Sequence, residues 1–420
     1  MHKERALLVI VDNHSFGAWT LEEIVHEMEE LVSACQAEVI DKIICHIDRF
    51  SPAYLIGKGK VEEVAQFCAQ NKVDTVVLSC DLKGSQQRNL EEACKVKTID
   101  RTQLILDIFA RRAKSMEGKM QVELAQLEYL RPRLVGKGIE LSRLGGGIGT
   151  LGPGETKLEV DRRRIDQRIT RLKQDLKEVT SNRSVTRKKR QEQGIPLVSL
   201  VGYTNAGKST LVNFLTDAQQ RTQDGLFTTL DSVSRQYALP NHQKIVVSDT
   251  VGFMHDLPHH LIEAFKATLE EVQYSDLLLH VIDVSHPNFQ NLYQAVQDVL
   301  KELKAEDKPT IVVLNKIDKL EDLTIVGPLQ SSFEDAIAIS AKTGENIDQL
   351  LARIEKKLSS LLVEIDVMIP ITRMDLINRA HQDGQVYLIK YYNDAIYLRA
   401  LVSPKLAGLL RKVAQPFAQE

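Results

Sequence analysis

Pro196-Leu197-Val198-Ser199-Leu200-Val201-Gly202-Tyr203-Thr204-Asn205-Ala206-Gly207-Lys208-Ser209-Thr210 is the stretch whose reading decides the fold. Its first six residues form an apolar run that reads as a short buried strand, and Thr210-Leu211-Val212-Asn213-Phe214-Leu215 starts an amphipathic helix. Between them stands G-x-x-x-x-G-K-S, and the order strand, glycine-rich loop, helix gives that pattern its physical content. The glycines let backbone N–H groups turn inward around a polyphosphate, and the helix N-terminus adds a favourable dipole. Lys208 is placed to reach the β- and γ-phosphates, and the Ser209 hydroxyl to ligate Mg2+.

Toward the C-terminus, further motifs follow in a fixed order. Phe227-Thr228-Thr229-Leu230-Asp231 offers a threonine in a loop before a strand, and Thr229, chosen over Thr228, completes the Mg2+ shell when a γ-phosphate is bound. Ile245-Val246-Val247-Ser248-Asp249-Thr250-Val251-Gly252 is a strand that delivers Asp249 to the metal, with the Gly252 N–H facing the γ-phosphate. Asn315-Lys316-Ile317-Asp318 follows the strand Thr310–Leu314. Asp318 accepts from guanine N1–H and the exocyclic amine, a pattern adenine cannot supply. Asn315 bonds the base or ties loops together, and the aliphatic stem of Lys316 covers the base plane. Ser340-Ala341-Lys342 closes the series, with the Ala341 N–H directed at guanine O6. Motifs in this order, each at the C-terminal end of a strand, predict a Mg2+-dependent domain that binds and hydrolyses GTP. Lys208, Thr229 and Gly252 are its candidate catalytic groups, and Ser209, Thr229 and Asp249 its candidate metal ligands. Phe253 stands where the best-known GTPases carry the glutamine that orients the attacking water. A phenyl ring neither accepts nor donates a proton, so slow unaided hydrolysis and an external activator are expected.

Toward the N-terminus the chain changes character. Met120, Leu124, Leu127 and Leu130 share one helical face within Arg111–Leu134. Leu158, Ile165, Leu172 and Val179 recur every seven residues, with Ile169 and Leu176 interleaved. That is a heptad seam, and two such helices predict an antiparallel hairpin that projects as an arm. From Lys157 to Arg190 there are thirteen Lys or Arg against five Asp or Glu. A solvated face is one explanation of such a run; contact with an RNA backbone, through Arg162-Arg163-Arg164 and Arg187-Lys188-Lys189-Arg190, is the other and is favoured. The glycine-rich loop 144–155 between the helices reads equally as a connector or as a phosphate cradle.

Leu7–Val11, Val39–Ile44 and Thr75–Ser79 read as strands, separated by helices over 21–32 and 60–70. Leu55-Ile56-Gly57-Lys58-Gly59-Lys60 lacks both the phosphate-loop spacing and a following hydroxyl, and reads as a loop before a helix. The fold class expected is thus α/β: a P-loop GTPase domain (196–360), preceded by a small α/β domain (1–110) and a helical hairpin (111–195), and followed by a small α+β domain (361–420). In that tail Val367–Pro370, Val386–Ile389 and Ala395–Ala400 read as strands, with helices near 372–380 and 404–413.

A length of 420 residues calls for several domains, and 43% hydrophobic with 26% charged residues is a globular profile. A net charge of −3 decides nothing about nucleic acid. No apolar run reaches the length of a membrane span, and no signal-peptide pattern opens the chain. The five cysteines (Cys35, Cys45, Cys68, Cys80, Cys94) contain no C-x-x-C pair and are expected as free thiols.

Beyond these readings the chain resembles the HflX family of ribosome-associated GTPases. The resemblance is carried by Tyr54–Glu63, Gln87–Glu92, Asp100-Arg101-Thr102 with Leu104–Ala110, Val122–Leu127, Gly147–Thr150 with Gly152–Thr156, and Asp249–Phe253. It implies a GTPase that binds the 50S subunit and splits stalled or idle 70S ribosomes under stress, its arm touching ribosomal RNA near the peptidyl-transferase region. The second function weighed is a GTP-regulated RNA-binding assembly or silencing factor with incidental hydrolysis. The resemblance also implies a cytoplasmic monomer without stable membrane insertion, peripheral membrane association as a second setting, and ATP as an additional nucleotide. Leu151 departs from the family by standing where a basic residue is usual, which bears on a charged contact at the arm's tip.

Overall fold

The computed structural model describes residues 3–13, 19–134, 157–192, 194–216, 227, 233–254, 261, 266–360 and 362–414. Thr228, Thr229, Leu230, Asp231 and the glycine-rich loop 144–155 lie outside them. The described residues fall into two compact units. One runs to Val179 and includes Phe227 and Leu261; the other starts at Thr180 and holds nearly all the rest.

The first unit is built on a parallel sheet of order β2-β1-β3-β4, formed by β1 (Arg5–Asp12), β2 (Glu38–His46), β3 (Thr75–Leu78) and β4 (Lys97–Asp100). Residues 6–12 of β1 are all buried, as expected of a central parallel strand covered on both faces. Helix α1 (Leu21–Ala34) opens with a capping box in which the Thr20 hydroxyl accepts from the Glu23 N–H and the Glu23 carboxylate accepts from the Thr20 N–H. Gly57 is the N-cap of α2 (Lys58–Asn71), and a Cβ at Gly57 or Gly59 would meet nothing within 4 Å. That stretch is a helix start, as read from its spacing. Helix α3 (Gly84–Cys94) and strand β4 were not assigned in the sequence. Helix α4 (Arg101–Arg112) then ends at Ala113. The single helical face read from Arg111 therefore begins only at α5 (Met116–Leu130), where the Ser115 hydroxyl accepts from the Gly118 N–H at 2.8 Å.

Helix α6 (Lys157–Glu192) spans 36 residues. Leu124 of α5 packs with Ile169 and Leu172 of α6, flanked by Met120, Leu127, Ile165 and Leu176, so the heptad seam is used. Ion pairs Arg168–Glu123, Lys173–Glu128 and Arg131–Asp166 border it. Part of the basic charge is thus matched by neighbouring carboxylates. Arg162, Arg163, Arg164 and Arg171 remain exposed.

The second unit holds a six-stranded sheet of order β10-β9-β8-β5-β7-β6. Its strands are β5 (Leu197–Val201), β6 (Val233–Ala238), β7 (Lys244–Asp249), β8 (Leu277–Asp283), β9 (Thr310–Asn315) and β10 (Ala336–Ala338). All pair in parallel except the edge strand β6. All residues of β5 are buried, and the core gathers Val198, Leu200, Leu211, Val247, Leu279 and Val313. Helices α7 (Lys208–Thr216), α8 (Lys266–Gln273), α9 (Phe289–Glu302), α10 (Val326–Ser331) and α11 (Ile347–Ser359) connect the strands. A separate antiparallel sheet of order β11-β13-β12 is formed by β11 (Val363–Pro370), β12 (Gln385–Tyr391) and β13 (Ala395–Val402). It packs with α12 (Met374–Asp383) and α13 (Pro404–Val413).

All five cysteines are free, and burial pushes the Cys35 and Cys45 thiols up to about 11. No described helix is long and apolar enough to cross a membrane.

Candidate nucleotide site

The loop after β5 is shaped by close backbone approach. Gly202 has φ +156°, and a Cβ there would lie 2.3 Å from the Val281 carbonyl oxygen. Gly207 has φ +97°, and a Cβ would lie 2.2 Å from Asn315 Nδ2. Any side chain at either position collides with an element that belongs to the site, so both glycines are required by geometry. Across the loop, the Thr204 N–H donates to the Phe253 carbonyl at 2.8 Å and the Phe253 N–H donates to the Gly202 carbonyl at 3.1 Å. A Cβ on Gly252 would fall 2.8 Å from Thr204 Cα. The segment Asp249-Thr250-Val251-Gly252 is thereby laid against the loop Gly202–Lys208, and the Thr250 hydroxyl, donating 2.6 Å to the Leu200 carbonyl, secures its start.

Lys208 is buried, and its Nζ donates to the Gly202 and Tyr203 carbonyls at 3.0 and 2.8 Å. Burial lowers its pKa to about 8, against the pull of Asp249, which favours the charged form. The ammonium is thus curled into the loop that a phosphate would fill. The Ser209 hydroxyl donates to Asp249 Oδ2 at 2.7 Å. A hydroxyl and a carboxylate are hard oxygen donors, and this pair fits Mg2+ better than a softer metal. Ser209 and Asp249 would hold it; Thr229, the third candidate ligand, lies outside the described residues.

At the far side of the loop, Asn315 ties two elements together: Nδ2 donates to the Ala206 carbonyl at 2.8 Å, and Oδ1 accepts from the Ala341 N–H at 2.9 Å. The N–H that the sequence directs at guanine O6 is therefore already engaged, and an incoming base would share it with Asn315. The Ser340 hydroxyl donates to Asp318 Oδ1 at 2.6 Å and also accepts from the Thr343 N–H at 3.1 Å, orienting the carboxylate expected to read the base. Ile317 is buried, its N–H donating to the Ile339 carbonyl at 3.3 Å, while Lys342 is exposed. Lys316 adopts φ +68° and its Nζ lies 2.6 Å from Asp283 Oδ2. Asp283, at the end of β8, was missed in the sequence; its signal was an aspartate closing an apolar strand. The ion pair pins the lysine stem that is to cover the base.

Two further placements bear on the sequence reading. The Phe253 ring is 1% exposed, so it is not presented to solvent water. Phe227, expected among the nucleotide-binding residues, is 1% exposed, with its ring edge-on to Phe109 at 4.7 Å. Its side chain is engaged by the first unit. His280 of β8 is buried, stacked on Tyr293 at 4.8 Å and held by Gln297, and burial lowers its pKa to about 3, so it is a neutral core histidine.

Comparison with known proteins assigns this geometry. Four family profiles match in sequence order. "GTP-binding GTPase N-terminal" covers residues 22–110, "GTP-binding GTPase Middle Region" residues 112–190, "50S ribosome-binding GTPase" residues 197–316, and "HflX C-terminal domain" residues 329–401. GTPase HflX of Caldanaerobacter subterraneus subsp. tengcongensis is 45% identical over 97% of this chain and 93% of its own length. The chain belongs to the HflX family of GTPases. GTPase HflX of Escherichia coli K12 is 42% identical, covering 86% of this chain and 85% of its own. Among solved structures, a GTP-binding protein of Sulfolobus solfataricus in complex with GDP aligns at 27% identity and a TM-score of 0.44, over 85% of this chain and 99% of its own. As a member of the HflX family the chain is an α/β enzyme that hydrolyses GTP.

Proposed function

We propose that this GTPase binds the 50S subunit and separates stalled or idle 70S ribosomes, with the nucleotide state governing its grip. The observation that carries the reading is α6: a helix with thirteen Lys or Arg against five Asp or Glu between Lys157 and Arg190, in a chain whose net charge is only −3. Arg162, Arg163, Arg164 and Arg171 are exposed on it, which suits contact with an RNA backbone. The profile matched by residues 197–316 is described as a 50S ribosome-binding GTPase, in keeping with this partner. The four-part division into residues 1–110, 111–195, 196–360 and 361–420 belongs to the same reading.

In this reading Gly202–Thr210 wrap the phosphates. Lys208 leaves its loop carbonyls for the β- and γ-oxygens and neutralises charge that develops during transfer. Ser209, Asp249 and Thr229 would hold Mg2+, which would supply further neutralisation of phosphate charge. The Gly252 N–H bonds the γ-phosphate, and Asp318, oriented by Ser340, selects guanine. Phe253 contributes no polar group, so the ribosome completes water positioning.

The test is sedimentation of 70S ribosomes with the protein and GTP, GDP or a non-hydrolysable analogue, alongside phosphate release with and without 50S particles. Separation with GTP or its analogue, and faster turnover on 50S particles, are expected. Unchanged turnover on 50S particles at physiological salt would sink the reading. If Lys208→Ala, impaired in GTP binding and hydrolysis, still separated ribosomes, the assembly-factor alternative would stand in its place.

A further inference from the structure

On α7, Leu211, Phe214 and Leu215 stand at i, i+3 and i+4 and so share one helix face. Leu211 and Leu215 are buried, whereas the Phe214 ring is 45% exposed. That ring has a specific neighbour. A Cβ built on Gly344 would lie 2.7 Å from Phe214 Cζ and 2.9 Å from Cε2. The edge of the ring therefore rests directly on the backbone of Gly344.

Gly344 belongs to the turn that Ser340-Ala341-Lys342 opens. Its N–H donates to the Ser340 carbonyl at 2.9 Å, and the Ser340 N–H donates to the Glu345 carbonyl at 3.2 Å, so the turn closes on itself. The glycine sits at φ +85°. Two groups expected to meet guanine depend on this turn: the Ala341 N–H, and Asp318 through its bond from the Ser340 hydroxyl. On the inner side, Ile339, Ala341 and Ile347 are buried in one core with Leu211 and Leu215. Lys342, Thr343 and Glu345 are exposed, and beside them the Phe214 ring meets Gly344.

We propose that Phe214 is a positioning residue for guanine recognition: its ring backs Gly344 and holds the turn Ser340–Glu345 where the Ala341 N–H and Asp318 meet the base. The inference deepens the nucleotide-site reading and rests on it. Glycine has the widest backbone freedom of any residue, so a turn built on one keeps a single conformation only when its surroundings restrict it. The ring supplies that restriction by contact, and its removal leaves space into which the turn can move. Helix α7 thereby serves both ends of the nucleotide. Lys208 and Ser209 in its first turn address the phosphates, and Phe214, about 9 Å further along the axis, backs the turn that reads the base.

Nucleotide binding and release by the full chain test it. Phe214→Ala should weaken GDP binding by about threefold to tenfold, the fold-change of one loosened hydrogen bond, and speed GDP release to match. The KM for GTP should rise by a like factor, while GTP already bound is hydrolysed at the wild-type rate in a single turnover. Phe214→Leu, which keeps part of the bulk, should keep part of the affinity, and it carries the test should Phe214→Ala not fold. Gly344→Ala should weaken GDP binding in the wild type and weaken it less beside Phe214→Ala, because the ring it collides with is gone. A merely structural role would lower the thermal midpoint and leave GDP affinity and release as they were. That result overturns the proposal, as does strict additivity of the two alanine substitutions. Asp318→Asn tests the underlying reading separately. An amide donates where the carboxylate only accepts, so this variant should lose GDP and gain xanthosine diphosphate, whose C2 bears a carbonyl. Should Asp318→Asn leave GDP binding intact, the base-reading assignment fails and this inference with it. Should it switch as expected while Phe214→Ala binds GDP like the wild type, this inference alone falls.

Discussion

Both of the larger sheets place an aspartate at the C-terminal end of a strand, and two of these aspartates, Asp100 and Asp249, have opposite fates. Asp100 ends β4 with no exposure, and its two oxygens take four donors. Oδ1 accepts from the Gln103 N–H at 2.8 Å and the Tyr129 hydroxyl at 2.8 Å; Oδ2 accepts from the Leu82 N–H at 3.0 Å and Arg133 at 2.9 Å. The same guanidinium lies 3.4 Å over the Tyr129 ring. Asp249 ends β7 equally buried, yet its Oδ2 accepts from the hydroxyl of Ser209, a group that coordinates a metal as readily as it donates. A strand-end carboxylate saturated by guanidinium, phenol and backbone is a rivet. One that meets a hydroxyl at the mouth of a glycine-rich loop is a candidate metal ligand.

Substitutions should separate the two kinds. The largest effect is expected for Lys208→Ala, which removes the charge aimed at the phosphates. GTP turnover should fall by about a thousandfold, the scale of losing one preorganised electrostatic group, with the thermal midpoint little changed. Single-turnover phosphate release checks it. Next, Asp100→Ala strands Arg133 and Tyr129 and should cost about 3–5 kcal/mol of stability, the cost of breaking a buried charged pair. Urea titration should show that loss while GDP affinity of the remaining folded protein stays put; unchanged stability would break the comparison.

Gly207→Ala comes third, since its Cβ would sit 2.2 Å from Asn315 Nδ2 at a φ of +97°. The strain of about 1–3 kcal/mol falls on Asn315, so calorimetry should record weaker GDP binding. The mildest tests use pH. Lys208 titrates at about 8 when folded but at 10.5 in a model peptide. Between these values the unfolded chain binds more protons, so the stability of the nucleotide-free protein should rise with pH there. Nucleotide affinity should fall over the same window, because the phosphates need the ammonium. His280, at about 3 when folded against 6.5 ordinarily, has the same sign of shift. Stability should therefore drop as pH falls below about 6.5, and His280→Gln should flatten that limb of a thermal-midpoint profile.

The nucleotide site was legible because its determinants are local and its chemistry narrow. A glycine collides or fits within one loop, and Asn315-Lys316-Ile317-Asp318 keeps its spacing whatever surrounds it. Boundaries within the first unit were not. Helix α3 carries only Leu90 and Cys94 as strongly apolar buried residues and has no acidic first turn, so its period is faint. The Asp100 cluster joins residues 82, 100, 103, 129 and 133 from several elements, and Glu271 meets Ser234 at 37 residues' separation. No spacing rule announces such bonds. The charge run at 187–190 was legible in its sign, but the ring of Tyr274 that meets Arg187 comes from a segment far along the chain, brought there by the pairing of β8 with β5.

Phe253 closes the matter of repair. Its N–H and carbonyl are both joined to the loop Gly202–Lys208, and its ring is 1% exposed. Phe253→Gln would therefore bury an amide where the ring now sits, at a cost of about 1–3 kcal/mol if it finds no partner, without bringing it to bulk water. If hydrolysis is slow unaided, as a phenyl ring at this position leads one to expect, that clock is not one residue away from a fast one. On the reading proposed above, the particle that docks beside the site sets the rate, and the chain is a timer wound from outside.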